Sequence, residues 1–193
     1  ASDVYKRQEK GSIDSLSVSY GEAGRPYVLD GTRVESAYDA GSSQYRFEMQ
    51  GGRLLLPFKG CPEFSLMSGT AQFNHASRRV NVPSCRLTTA AGGYLDIKGD
   101  WDGSSSSWTA NMVVNGVPAS SVLEGHWKKH VQGSVSGGID LRGGRDGVTH
   151  VAGLARLQGG MLTGLPVLDR LALFCGSSRF RNLPLHEASA QFS

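Results

Sequence analysis

The chain has 193 residues, enough for one large or two small domains with a real core. Its formal net charge of +3 is small and scattered. Part of it lies in Lys6, Arg7 and Lys10 near the start, and the densest later cluster is only Lys128-Lys129, so the basic stripe of a nucleic-acid binder is missing.

Three cysteines, Cys61, Cys85 and Cys175, stand far apart and never form a CxxC pair. An odd, sparse set argues against a disulfide scaffold or a zinc site, although one unassigned pair could bridge in an oxidising compartment. No apolar run approaches the roughly 18 residues of a transmembrane helix. The chain lacks an initiating Met and a closing polar tail, and is expected to be a piece of a longer protein. Residues 1–10 are expected to be a leader, artefactual or disordered, and are set apart from fold reasoning. Residues 11–193 are expected to form a single β-rich region.

Glycine is the loudest signal, with 26 residues, roughly twice the usual share. The pairs Gly51-Gly52, Gly92-Gly93, Gly143-Gly144 and Gly159-Gly160, with Asp30-Gly31, Asp102-Gly103 and Asp146-Gly147, fall between alternating segments. Each is expected to supply the positive φ of a tight hairpin in an antiparallel meander.

Period-two segments follow in chain order. Tyr45, Phe47 and Met49 alternate with Gln44, Arg46, Glu48 and Gln50. Leu95, Ile97 and Trp101 alternate with Asp96, Lys98 and Asp100. Trp108, Ala110, Met112 and Val114 alternate with Ser107, Thr109 and Asn111, although Val113 spoils the far end. The clearest run sets Val131, Gly133, Val135, Gly137, Ile139 and Leu141 against polar neighbours. At about 3.3 Å per residue that strand exceeds roughly 30 Å.

Two segments read as helical. Pro118 to His130 places Val122, Leu123 and Trp127 at helical spacing after an opening Pro. Leu165 to Cys175 carries Leu165, Leu168, Leu171 and Ala172 on one stripe and stops at Gly176. Each precedes a new strand, Val131 to Leu141 and roughly Leu185 to Phe192, so the sheet is expected to grow by repeated addition. The fold class is mainly β: a long, curved, repeat-extended antiparallel sheet shaped as a groove, with two short capping helices.

Candidate chemistry is thin. His126 and His130 sit i, i+4 apart, but Trp127 stands where a zincin needs Glu, and both read as a solvated face. Asp100 with Asp102, and Asp140 with Asp146, flank Gly-rich turns where Asp serves the backbone. Ser104 to Ser107 lacks a G-x-S-x-G elbow and reads as a hairpin tip. Cys175 reads as a buried small apolar residue. The chain is therefore expected not to be an enzyme and to need no cofactor or metal. The apolar strand faces fit two uses: burial against a second sheet, or an open surface for a ligand.

The stretches VPASSVLEGHWKKHVQGSVSGGIDLRG from Val117 and GVTHVAGLARLQGGMLTGLPVLDRLALFCGSSRFRNLPLHEASAQF from Gly147 carry a further pattern. A G-x-V strand at Gly133-Ser134-Val135 precedes GG-x-L-x-G-L-P-x-L-x-x-L at Gly159 to Leu171 and A-x-F at Ala190-Gln191-Phe192. This resembles the C-terminal region of AsmA-like proteins, similar to parts of TamB and other bridge-like envelope proteins. The match is best over residues 117–193 and only architectural before that.

The resemblance implies a periplasmic protein, tethered to the inner membrane by an anchor outside this sequence. It further implies an apolar groove for phospholipid or another acyl-chain lipid, serving outer-membrane assembly or intermembrane phospholipid transport. The lipid-groove candidates are Tyr45, Phe47, Met49, Leu95, Ile97, Trp101, Trp108, Met112, Val135, Ile139 and Leu141. The alternative is a structural or partner-docking β-sandwich spacer without ligand.

Overall fold

The computed structural model describes residues 10–21, 24, 26–56, 62–123, 125 and 127–193. Residues 1–9 of the expected leader, Cys61 and His126 lie outside the described residues. Lys10, assigned to the leader from sequence, is instead the first residue of a strand.

Eleven strands form one sheet: β1 (Lys10–Tyr20), β2 (Tyr27–Asp39), β3 (Gln44–Gln50), β4 (Arg53–Leu55), β5 (Phe64–Asn74), β6 (Arg79–Thr89), β7 (Tyr94–Asp102), β8 (Ser107–Pro118), β9 (Val131–Gly144), β10 (Gly147–Thr163) and β11 (Asn182–Phe192). The order is β1-β2-β3-β5-β6-β7-β8-β9-β10-β11, antiparallel throughout, with β4 also between β2 and β5. The mainly antiparallel β class expected from alternation is what forms. Among the described residues, β1 and β11 each pair on one side only.

Three hairpins at one end of the sheet share one turn chemistry. Asp39, Asn74 and Asp102 close β2, β5 and β7, and the carboxylate or amide oxygen of each accepts a backbone N–H two or three residues on, at 2.9 Å. Four residues past each, Ser43, Arg78 and Ser106 take φ of 53, 54 and 54°. An Asx side chain that satisfies the turn's own amides, followed by one left-handed residue, closes a four-residue connection. Ser104 to Ser106 form a hairpin tip, and Ser107, the last of the serine run, opens β8.

Hydrogen bonds from the Ser104 hydroxyl and amide, then from the Arg79 side chain, lower the Asp102 carboxyl from 3.8 to about 2. A depressed carboxyl stabilises the fold above its ordinary value and loses that contribution as the pH falls from about 4 toward about 2. The Asp102 side-chain carbon, followed by NMR against pH, is therefore expected to titrate well below an ordinary carboxylate. A midpoint at or above 3.8 would refute the turn bonding.

Several glycines do something other than turn the chain. Gly92-Gly93 and Asp146-Gly147 lie in hairpins as expected. Asp30-Gly31 and Gly159-Gly160 instead lie inside β2 and β10, and Gly51-Gly52 separates β3 from β4 along a single line. Gly31, Gly51, Gly52 and Gly159 spend their positive φ on irregularities within the sheet rather than on hairpins.

The helical expectations need correction. The first segment forms two separate turns, α1 (Ala119–Val122) and α2 (Trp127–His130), because Leu123 turns extended after α1. The second forms α3 (Pro166–Phe174), followed by a 3₁₀ turn at Ser178–Arg181. Its buried residues are Leu168 and Ala172, whereas Leu171 is exposed. Cys175 is exposed as well, contrary to the buried reading. Because β8 and β10 run the same way, both helical connections lie at the end opposite the three Asx hairpins.

Candidate apolar binding face

Cross-strand partners in an antiparallel sheet project to the same side, so the register assigns every side chain to a face. One row reads Ile13, Val34, Met49, Gly69, Cys85, Ile97, Met112, Ile139, Gly153 and Phe192, one residue from each of ten strands. It contains no polar residue. Toward the Asx hairpins the next row on this side includes Phe47, Ala71, Val82, Gly99, Ala110, Leu141 and Val151. The last row is Tyr38, Tyr45, Phe73, Val80, Trp101, Trp108, Gly143 and Val148. All eleven groove candidates read from sequence therefore share one face.

Its two halves differ. Toward the helical end, Phe64, Leu66, Leu87, Leu95 and Val117 form a buried cluster, with Leu87 2% and Val117 1% exposed. Leu29, Leu54, Leu56 and Val114 pack against it, as do Met49, Cys85, Ile97 and Met112 of the middle row, which are partly buried. Leu95, a groove candidate, is thus part of a filled core rather than an open surface. Toward the Asx hairpins the face stays accessible: Trp101 is 41% exposed and Tyr45 also counts among the exposed large side chains. Tyr45 lies 4.7 Å from the Tyr38 ring centroid and 6.4 Å from those of Phe47 and Phe73, so the aromatics there form a connected patch.

Glycines on this face seat large neighbours. A Cβ at Gly143 would fall inside the Trp108 indole, and one at Gly153 would lie 2.7 Å from the Phe192 ring. Both are direct cross-strand pairs, Trp108 with Gly143 and Gly153 with Phe192. Covering a glycine with an aromatic from the adjacent strand flattens the ring against the backbone and recovers buried apolar area.

The opposite face is a polar lattice. Asn81 donates to Asp100 at 2.7 Å, Asn111 to Asp140 at 2.7 Å, and Arg86 grips Asp96 through two bonds of 2.6 and 2.8 Å. Asp100 and Asp140 therefore serve strand-to-strand bonds rather than the turns assigned to them from sequence; Asp102 does serve its turn. Arg86 also lies 4.6 Å from the Tyr94 ring centre. These exposed pairs each add little to stability but fix register.

Burial, reinforced by the charge of Asp96, pushes the Cys85 thiol up, away from the thiolate a nucleophile requires. His130 is not on a solvated face: its Nδ1 lies 2.7 Å from the Thr163 carbonyl, which ties α2 to β10. Among the described residues, no group of three His, Cys, Asp or Glu side chains gathers for a metal ion. Thr32 is fully buried, and its Oγ1 has no hydrogen-bond partner among the described residues.

Sequence reading missed Ile13, Val34, Tyr38, Phe73, Val80 and Val82 on this face. Their signal is broken by irregularities: β1 slips between Ile13 and Leu16, β2 between Leu29 and Thr32, β5 between Leu66 and Ser68, and β6 between Val82 and Cys85. Each slip shifts the parity of the alternation.

No protein-family model, curated protein or solved structure matches the chain.

Proposed function

We propose that this chain is a non-enzymatic segment of a periplasmic envelope protein that offers its apolar sheet face to the acyl chains of lipid. In that reading it serves outer-membrane assembly or phospholipid movement between membranes, with an inner-membrane anchor lying elsewhere in the full protein. One observation carries the proposal: the row from Ile13 to Phe192 crosses ten strands without a polar residue, while the reverse side is a lattice of charges and amides. A sheet this one-sided needs a cover for its apolar face. The resemblance to AsmA-like sequences supplies lipid as the cover.

The energetics suit a conduit. Each methylene withdrawn from water gains about 0.8 kcal/mol, so a palmitoyl chain gains about 12 kcal/mol at most, much the same as a bilayer offers. Transfer between the two is then close to thermoneutral. Neither cofactor nor covalent step enters.

Mass spectrometry of the purified chain is expected to find retained phospholipid. Met112→Asp and Ile139→Asp, at the middle of the row, are expected to reduce it about tenfold or more, since a carboxylate among acyl chains must be desolvated or protonated. A preparation without lipid would overturn the proposal.

A second reading, a partner-docking or spacer module without ligand, is favoured by the filled cluster of Phe64, Leu66, Leu87, Leu95 and Val117. If that packing extends across the face in solution, the same spectra will contain no lipid.

A further inference from the structure

The two ends of the sheet are chemically unlike. The connections Asp39–Gln44, Asn74–Arg79, Asp102–Ser107 and Gly144–Gly147 hold no apolar residue larger than alanine. The helical connections at the opposite end expose Val122, Trp127, Val167, Leu171, Leu173, Phe174 and Phe180.

α3 concentrates this asymmetry. At about 100° per residue, Leu168 and Ala172 make one stripe, and these two are the buried residues. Val167, Leu171 and Phe174, at i, i+4 and i+7, make a second stripe that faces outward. Val167 is 66% exposed, Leu173 76% and Phe174 91%. Packing on the fold accounts for the first stripe and leaves the second unemployed. Arg170 lies beside the outward stripe on the helical wheel and is exposed.

Charge identifies the cover. The segments 119–130 and 164–181 contain Lys128, Lys129, Arg170, Arg179 and Arg181 against Glu124 and Asp169. Asp169 lies 3.9 Å from Arg181, which already occupies it. A short helix with an apolar outward stripe, flanked by exposed cations whose stems can lie along apolar surface, is the chemistry of a segment that rests in the headgroup region of an anionic bilayer. At about 1.5 Å per residue, nine residues reach about 14 Å, too short to span a membrane but suited to lying in its surface.

We infer that the helical end of the sheet docks on an anionic lipid surface, with Val167, Leu171 and Phe174 inserted and Arg170 and Arg179 at the phosphates. The inference does not require acyl chains on the sheet face.

The test is flotation of the whole chain with vesicles of mixed phosphatidylglycerol and phosphatidylcholine, compared with phosphatidylcholine alone. Binding is expected to the anionic vesicles and to fall at least about tenfold in the Val167→Asp, Phe174→Asp double variant. A fall is also expected in Arg170→Glu, Arg179→Glu. All four side chains are exposed, so an unchanged circular dichroism spectrum is expected alongside. Three outcomes would overturn the inference: no binding to anionic vesicles, equal binding by the variants, or a loss of self-association in the variants without vesicle binding, which would assign the patch to a second copy. Met112→Asp and Ile139→Asp should leave flotation intact while lowering retained lipid, so the docking end and the sheet face fail separately.

Discussion

Gly137→Ala is expected to destabilise the fold by about 2–3 kcal/mol, whereas Gly138→Ala, one residue on, is expected to be neutral or to stabilise by about 0.5 kcal/mol. Gly137 sits on the apolar face of β9, paired with Val114 on one side and Ala155 on the other. A Cβ there would fall inside the Leu154 carbonyl and 3.1 Å from the Ala155 Cα. Both obstacles are backbone, so β10 must move and its ladder with β9 must stretch. At Gly138 a Cβ meets nothing within 4 Å, and alanine only narrows the unfolded ensemble. Urea unfolding of the three proteins measures the contrast. Equal midpoints for the two variants would mean that β9 and β10 do not approach as described.

Leu87→Ala is expected to cost about 3–4 kcal/mol, within the usual range for a large-to-small change at a filled site. Leu87 is 2% exposed at the centre of the cluster with Phe64, Leu66, Leu95 and Val117. Its cross-strand partners Leu66 and Leu95 are held by their own ladders and can close only part of the void. Truncating a residue on the accessible half, such as Trp101→Ala, removes a larger side chain. It is nevertheless expected to cost less, because that ring is already partly in water. Thermal or chemical denaturation should therefore rank Leu87→Ala as the more damaging. The reverse order would place the core at the Asx-hairpin end.

Much of the fold is legible in the residues. Where strands are regular, as in Tyr45 to Met49, Leu95 to Trp101 and Val135 to Leu141, strict alternation assigns the face, and the register brings every one of those side chains to one side. Legibility fails where an extra residue enters a strand. The slip between Val82 and Cys85 hides Val80 and Val82. Glycine misleads most, because one φ preference serves a hairpin at Gly92, a break at Gly51 and an irregularity at Gly159. The seats beneath Trp108 and Phe192 depend on which strands become neighbours, information no local window contains.

Leu171 illustrates a different failure: helical spacing groups it with Leu168, yet only tertiary packing, which for α3 is mainly against the following 3₁₀ turn, decides which stripe is buried. The three Asx turns, by contrast, were available all along. An Asp or Asn followed four positions later by the residue that goes left-handed recurs at Asp39, Asn74 and Asp102.

The strand order has a mechanical consequence. Successive segments are almost always neighbours, and among the described residues β1 and β11 form the two margins. Tension applied to the ends of this chain therefore peels one ribbon at a time instead of shearing all ladders together. Margins fray first, and the interior around Leu87 yields last.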